Sequence, residues 1–211
     1  MFLPKNAKIE GVIQIGANDG NEIREFQVIT DNLIMFEPVP EPREILLRRS
    51  LDSTIKNIFI FDYVVCQTNG LSEFFFAKES GNSSILDLNP NRPAFNLERC
   101  EHSHKGLIES ITLDKFFFIY KDFFRDLKFN LLFMDVQGAE HLVILGGKET
   151  LKKIKYIWME VSYVEIYTGT LLYKNLIKLC NKFGFNLIYH KKSDWDESQG
   201  DVLLVNQFYS E

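Results

Sequence analysis

The feature that most constrains this chain is a recurring unit: a short, continuously apolar run that stops at a glycine or an acid, followed by apolar residues at helical spacing. Val12-Ile13-Gln14-Ile15 stops at Gly16, Leu33-Ile34-Met35-Phe36 at Glu37, Leu131-Leu132-Phe133-Met134 at Asp135 and Tyr156-Ile157-Trp158-Met159 at Glu160. Runs this short and apolar read as strands buried on both faces, which requires helices on both sides of a parallel sheet. Ile58-Phe59-Ile60-Phe61 supplies a further strand. Between the first two strands, Ile23 and Phe26 predict a helix over residues 21–30, with Asp19 or Asn21 as N-cap and Glu22 in its first turn. Pro42 at a first helical position, followed by Ile45, Leu46 and Arg48-Arg49, opens the next.

Further along, Phe116, Tyr120, Phe123, Phe124 and Leu127 predict a helix over 115–128. Another spans 138–153 with a break at Gly146-Gly147, and a third spans 171–183 with Gly184 as its C-cap. Residues 186–189 and 202–205 close the chain as an antiparallel hairpin. The helical period fades over 67–110, where Asn69-Gly70 and Ser80-Gly81-Asn82 bracket a Phe-rich strand at 71–78; this reads as an insertion or edge hairpin. No repeat or linker divides residues 1–211, so one α/β domain is expected, with helices on both faces. Open sheets of this kind bind ligands beyond the carboxyl ends of their strands.

Composition narrows the function. With 24 Lys and Arg against 29 Asp and Glu, a net charge of −5 offers no bulk positive field for a phosphate backbone, so nucleic acid is not an expected partner. The three cysteines, Cys66, Cys100 and Cys180, show no CxxC spacing and point to a reducing, cytoplasmic setting. The first residues lack the apolar region of an export signal, and the longest apolar windows are interrupted by Asp62 and Asp135; neither export nor a membrane partner is expected. The 19 phenylalanines, concentrated at 74–76 and 116–118, are read as core or interface packing.

The chemistry is expected at the first strand-to-helix loop. Gly16-Ala17-Asn18-Asp19-Gly20 lets backbone N–H groups approach a ligand at a helix start. Glu37 follows about twenty positions after Gly16, at the end of the next strand, where a carboxylate can accept hydrogen bonds from both hydroxyls of a ribose. Together they predict a nucleoside-containing cofactor. Asn18 stands where a dinucleotide fold places its second glycine, next to the pyrophosphate, which disfavours a nicotinamide cofactor.

In order, Val12-Ile-Gln-Ile-Gly-Ala-Asn-Asp-Gly20, Phe36-Glu-Pro-Val-Pro-Glu41, Ser83-Ser84, Ile111-Thr-Leu-Asp114 and Met134-Asp-Val-Gln-Gly-Ala-Glu140 resemble the FkbM-type family of S-adenosylmethionine-dependent methyltransferases. The resemblance runs from about Gly11 to Val205. It implies the class I methyltransferase fold, a Rossmann-like, mostly parallel seven-stranded sheet with an antiparallel last strand. It also implies that Gly16, Ala17, Asn18 and Gly20 surround the methionine part of the cofactor and that Glu37 holds its ribose. Asp62 or a neighbour at the third strand end would meet the adenine. Gln14 stands where many class I methyltransferases have an acid, leaving contact with the cofactor's amino group to an amide oxygen.

Asp135, also a candidate cofactor-binding residue, and Glu160 are the candidate catalytic acids, either as general base toward an acceptor hydroxyl or as a pair binding a divalent cation. The implied acceptor is a sugar or secondary-metabolite hydroxyl. Two rival readings are a silent nucleoside-binding scaffold on the same fold and a nicotinamide oxidoreductase. Cys100, His102 and His104 alternate as metal ligands on one strand face would, though a polar loop is the plainer reading. Glu140 reads as a helix-start charge and His141 as a surface or partly buried histidine. Lys148, Lys152, Lys153 and Lys155 read as a solvated basic face.

Overall fold

The computed structural model describes residues 3–92, 100–194 and 197–209; residues 93–99, within the 67–110 segment, lie outside it. Its centre is a parallel stack of β1 (Val12–Ile15), β2 (Asn32–Phe36) and β3 (Asn57–Phe61), continued on the other side of β1 by β7 (Leu131–Met134) and β8 (Tyr156–Ser162). The hairpin of β9 (Phe185–Lys192) and β10 (Gln199–Asn206) completes seven strands in the order β3-β2-β1-β7-β8-β10-β9. β10 runs antiparallel to both of its neighbours. The sheet order reverses between β1 and β7, so the first loop and the Asp135 loop open side by side at the carboxyl ends.

Strand alternation divides the core. Ile13, Ile15, Ile34, Phe36, Leu132 and Met134 point into one layer, packed by α3 (Leu113–Ile119), α4 (Glu140–Gly146) and α5 (Tyr173–Lys182). Val12, Leu33, Met35, Leu131 and Leu203 point into the other, with Ile23 and Phe26 of α1 (Ile23–Phe26) and Leu46 of α2 (Pro40–Leu51). All four residues of β1 are buried, as a strand covered on both faces demands. The Phe clusters are mostly packing: Phe116 is fully buried and meets Phe36 and Phe61 edge-on, while Phe118 remains exposed.

Between β3 and α3 the chain builds a second sheet, in which β6 (His102–Ile111) pairs with β4 (Val64–Val65) and with β5 (Gly70–Ala77). A 3₁₀ turn, Ser80–Asn82, follows β5 and folds back over the main sheet's carboxyl end.

Several boundaries differ from expectation. α1 is one turn rather than a helix over 21–30, because the Thr30 hydroxyl donates to the Glu10 carbonyl and accepts from Asn32 N–H, drawing the chain straight into β2. Neither Asp19 nor Asn21 caps it; Glu22 holds the N-cap position without a side-chain cap bond. α2 begins at Pro40, not at Pro42. α3 ends at Ile119, short of the expected 128. β8 runs past Glu160 to Ser162, because β10 pairs along its whole length and extends it. Glu160 therefore lies within a strand, not at its end.

Candidate active site

A cleft with an enclosed volume of about 120 Å³ opens where β1, β2 and β7 end. Gly16 shapes its floor. Its φ of +79° is left-handed, and a Cβ there would lie 1.8 Å from the Asp135 carbonyl oxygen, so no side chain fits. The N–H groups of Gly16 and Ala17 both donate to the Phe36 carbonyl, at 3.0 Å each, tying the loop to the end of β2. Asn18 follows at φ 45°, an uncommon conformation for a non-glycine residue. Its N–H donates to Glu37 Oε2 at 2.7 Å, and its Oδ1 accepts from the Ser80 hydroxyl at 3.3 Å. Arg49 of α2 clamps the rest of the loop, pairing with the Asp19 carboxylate at 2.9 Å and donating to the Asp19 carbonyl and Asn21 Oδ1.

Glu37 is 5% exposed and lines the cleft. Its Oε1 accepts from Val39 N–H at 2.7 Å, so each carboxylate oxygen holds one backbone donor and keeps a lone pair for a ligand. Burial pushes its pKa up to about 7, against the lowering effect of those two amides and of Arg43.

Asp135, on the loop after β7, lines the same cleft as Glu37. Its Oδ1 accepts from Gln137 Nε2 at 2.7 Å. Burial first, and then the Glu22 charge, raise its pKa above the ordinary carboxylate value. Gln137 is itself left-handed, at φ 54°, and held from two sides: the Ser84 hydroxyl donates to its carbonyl at 2.9 Å, and the Tyr167 hydroxyl donates to its Oε1 at 3.3 Å. Glu140, expected as a helix-start charge, is a buried carboxyl that accepts from Val136 N–H at 3.2 Å; burial lifts its pKa to about 7. The Asp135 loop is thus braced by the buried acid Glu140 and by the hydroxyls of Ser84 and Tyr167.

The expected residues do not all converge. Gly16, Asn18, Glu37 and Asp135 line the cleft. Ala17 is packed in the core, and Gly20 turns the chain at φ +77° where a Cβ would strike Leu46. Gln14 lies beneath the cleft and donates from Nε2 to Glu22 Oε2 at 3.0 Å. Of Asp62 or a neighbour, the neighbours line the cleft: Asp62 is exposed and 4.0 Å from Arg43, whereas Tyr63, Val64 and Val65 form the wall at that point. Glu160 is corrected; it accepts from Gln199 Nε2 at 2.5 Å and does not line the cleft. Among the described residues no three His, Cys, Asp or Glu side chains are grouped to hold a metal ion, and this includes Cys100, His102 and His104. Cys100 is buried beside Tyr167, while His102 and His104 stack on Phe75 and Phe76. His141 is half-buried, with its pKa lowered by burial.

Reading the sequence alone passed over Glu22, Phe133, Gln137 and the hairpin residues Ser80, Gly81 and Ile85, all of which line the cleft. Gln137 carried a signal, since it sits inside Asp135-Val-Gln-Gly138. The hairpin residues carried none, because only the tertiary fold brings Ser80 to Asn18.

This strand order, with its antiparallel final strand, and a glycine loop facing a buried strand-end acid define the methyltransferase branch of the nucleotide-binding α/β folds. Residues 14–187 match the Methyltransferase FkbM domain, and the chain belongs to that family of S-adenosylmethionine-dependent methyltransferases. It is 28% identical over 203 residues to the 2-O-methyltransferase NoeI of Sinorhizobium fredii (strain NBRC 101917 / NGR234), an alignment covering 92% of this chain and 79% of that protein. Among solved structures, the fibrillarin pre-rRNA processing protein of Methanococcus jannaschii superposes with a TM-score of 0.54 at 10% identity, covering 98% of this chain and 70% of that one. Magnesium protoporphyrin IX methyltransferase (ChlM) from Synechocystis PCC 6803, solved with bound S-adenosylmethionine, gives a TM-score of 0.52 at 7% identity, covering 93% and 69%. At these identities the two structures speak for the fold alone. No helix among the described residues is long and apolar enough to cross a membrane.

Proposed function

We propose that this methyltransferase acts on oxygen, methylating a hydroxyl of a carbohydrate or other small-molecule acceptor, with Asp135 receiving the hydroxyl proton. The observation that carries the reading is the position of Asp135: a carboxyl that lines the same cleft as Glu37, bonded on one oxygen only, with a pKa raised toward neutrality. A base of that strength suits proton removal near neutral pH. The likeness to NoeI, a 2-O-methyltransferase, supports oxygen as the acceptor atom.

The residues present fit the cofactor. The two spare lone pairs of Glu37 suit the paired hydroxyls of a ribose, the bare floor at Gly16 admits close approach, and apolar Phe36, Val64 and Val65 offer a wall for a base. When bound, S-adenosylmethionine supplies an electrophilic methyl group on a sulfonium. The chain's own work is to fix the donor through Glu37 and the 16–18 loop, align the acceptor oxygen, exclude water and hold the departing proton at Asp135. Gln137 keeps the Asp135 carboxylate in one orientation. No step is assigned to Glu160 or to a cation.

The test pairs binding with transfer. S-adenosylhomocysteine is expected to raise the melting temperature while NAD leaves it unchanged, since only a ligand of the native state stabilises it. Radiolabelled methyl from S-adenosylmethionine should then appear as a methyl ether on a panel of methyl glycosides with free 2-hydroxyls. A shift with NAD alone, or label recovered only on nitrogen of an added amine panel, would overturn the proposal.

A further inference from the structure

We infer that Glu22 is the acid that receives the ammonium group at the amino-acid end of the cofactor, taking over a contact that β1 does not supply in this chain. The inference rests on the cofactor reading above. β1 carries Gln14 and no acid, and Gln14 is 1% exposed. Its Nε2 donates to Glu22 Oε2 at 3.0 Å, which fixes the amide's orientation, because the reverse placement would set a carbonyl oxygen against a carboxylate. Gln14 Oε1 is then left buried with no partner in the protein. A buried acceptor without a donor is uncommon and calls for an explanation, such as a ligand that completes it.

Glu22 is placed to share that ligand. It stands at the N-cap of α1, but its side chain makes no cap bond and instead lines the cleft. Of the other acids around the cleft, Asp19 is paired with Arg49 and Glu37 is placed for the ribose with an amide on each oxygen, while Asp135 accepts from Gln137. Glu22 has no basic side chain within ion-pair distance among the described residues. Its charge reaches Asp135 strongly enough to be the largest charge effect on that group. A carboxylate that lacks a cationic partner, beside a buried amide oxygen with no donor and near a second acid, suits a cation with several N–H donors. An ammonium meets that description, and a neutral hydroxyl does not.

Calorimetric titration of wild type and Glu22→Gln with two ligands tests this. S-adenosylhomocysteine carries the ammonium; 5′-methylthioadenosine keeps the adenine, ribose and sulfur but lacks the amino-acid end. The substitution keeps the shape of the side chain and removes its charge. It should weaken S-adenosylhomocysteine by about tenfold or more, the scale of one charge-assisted hydrogen bond, and change methylthioadenosine by less than about twofold. Equal weakening of both ligands would make Glu22 a support of the loop, and no change in either would remove it from the site; each result overturns the inference. Failure of wild type to bind either ligand would instead contradict the cofactor reading.

Discussion

The two ends of the central sheet present opposite kinds of hollow. At the carboxyl ends lies a cleft of about 120 Å³ lined by buried Glu37, half-buried Asp135 and two left-handed non-glycine residues, with the buried Glu140 carboxyl and an orphaned Gln14 amide oxygen beneath it. At the amino ends lies a groove of about 1040 Å³ lined by Phe117, Phe118, Phe124 and cations that include Lys8, Lys121, Lys128 and Lys153. The groove's buried polar groups are at rest. Asp114 accepts from the amides of Glu149 and Thr150 and from the Thr150 hydroxyl, and Asn130 bonds the backbone at Glu10 and Lys8. Lys121 lies over Phe118 and Lys155 over Tyr209, while Lys152 pairs with Glu149 and Lys128 with Glu10. The larger hollow is thus settled, and the smaller one is kept in tension. Buried acids and strained backbone persist only where the rest of the structure holds them in place, so tension, not volume, singles out the cleft as the proposed site.

The strongest way to break this contrast is Asp135→Asn, which keeps size and removes the base. Turnover is expected to fall by roughly 10²–10⁴-fold while the dissociation constant for S-adenosylhomocysteine stays within about threefold. Steady-state kinetics on an acceptor found in the glycoside panel, with calorimetry beside it, would read both. Full turnover in a folded variant would return Asp135 to a structural role.

Next in size is Glu37→Ala. It should weaken S-adenosylhomocysteine by about tenfold or more through lost ribose contacts. It also strips the Asn18 and Val39 amides of their acceptor, a cost of about 1–3 kcal/mol for each group left unpaired. Calorimetry and thermal melts should therefore move together, whereas a variant that lost affinity alone would show that the two amides find other partners.

These two acids were legible because they depend on local chemistry. A buried strand that ends in a carboxylate places it at the sheet's mouth, and β1, β2 and β7 are set by short, mostly apolar runs. Glu160 ended an identical pattern and was misplaced, because antiparallel β10, some forty residues later in the chain, extends β8 past it. Asp62 looked equivalent to Glu37, but Arg43 draws it outward. Glu22 was visible only as a helix-start charge; its cleft-facing role depends on Gln14 beneath it, a side-chain contact that no periodicity reports.

A subtler effect comes from pH. Glu37 and Glu140 have folded pKa values near 7, against ordinary values of 4.5. Between those limits the native state holds more protons than the unfolded chain, so stability is greatest below the unfolded pKa and is lost as pH rises toward and through 7. The melting temperature of the unliganded protein should fall by several degrees from pH 5 to pH 8, at about 2–4 °C per kcal/mol for a chain of this size. The shift induced by S-adenosylhomocysteine should grow over the same interval, since ribose hydroxyls bind the ionised Glu37. A ligand-induced shift that shrinks with pH would place the ribose elsewhere.

The smallest expected effect is at the amino-end groove. Lys121→Gln and Lys153→Gln should leave turnover within about twofold and stability within about 0.5 kcal/mol, as for surface changes away from strained or buried groups. A marked loss of turnover in either would give the groove a part in catalysis and undo the contrast between the two ends.

The most direct measurement is a crystal structure with S-adenosylhomocysteine. The account predicts density in the carboxyl-end cleft, with both ribose hydroxyls within hydrogen-bond reach of Glu37 and the sulfur facing Asp135. Density in the amino-end groove, or a ribose turned away from Glu37, would contradict it.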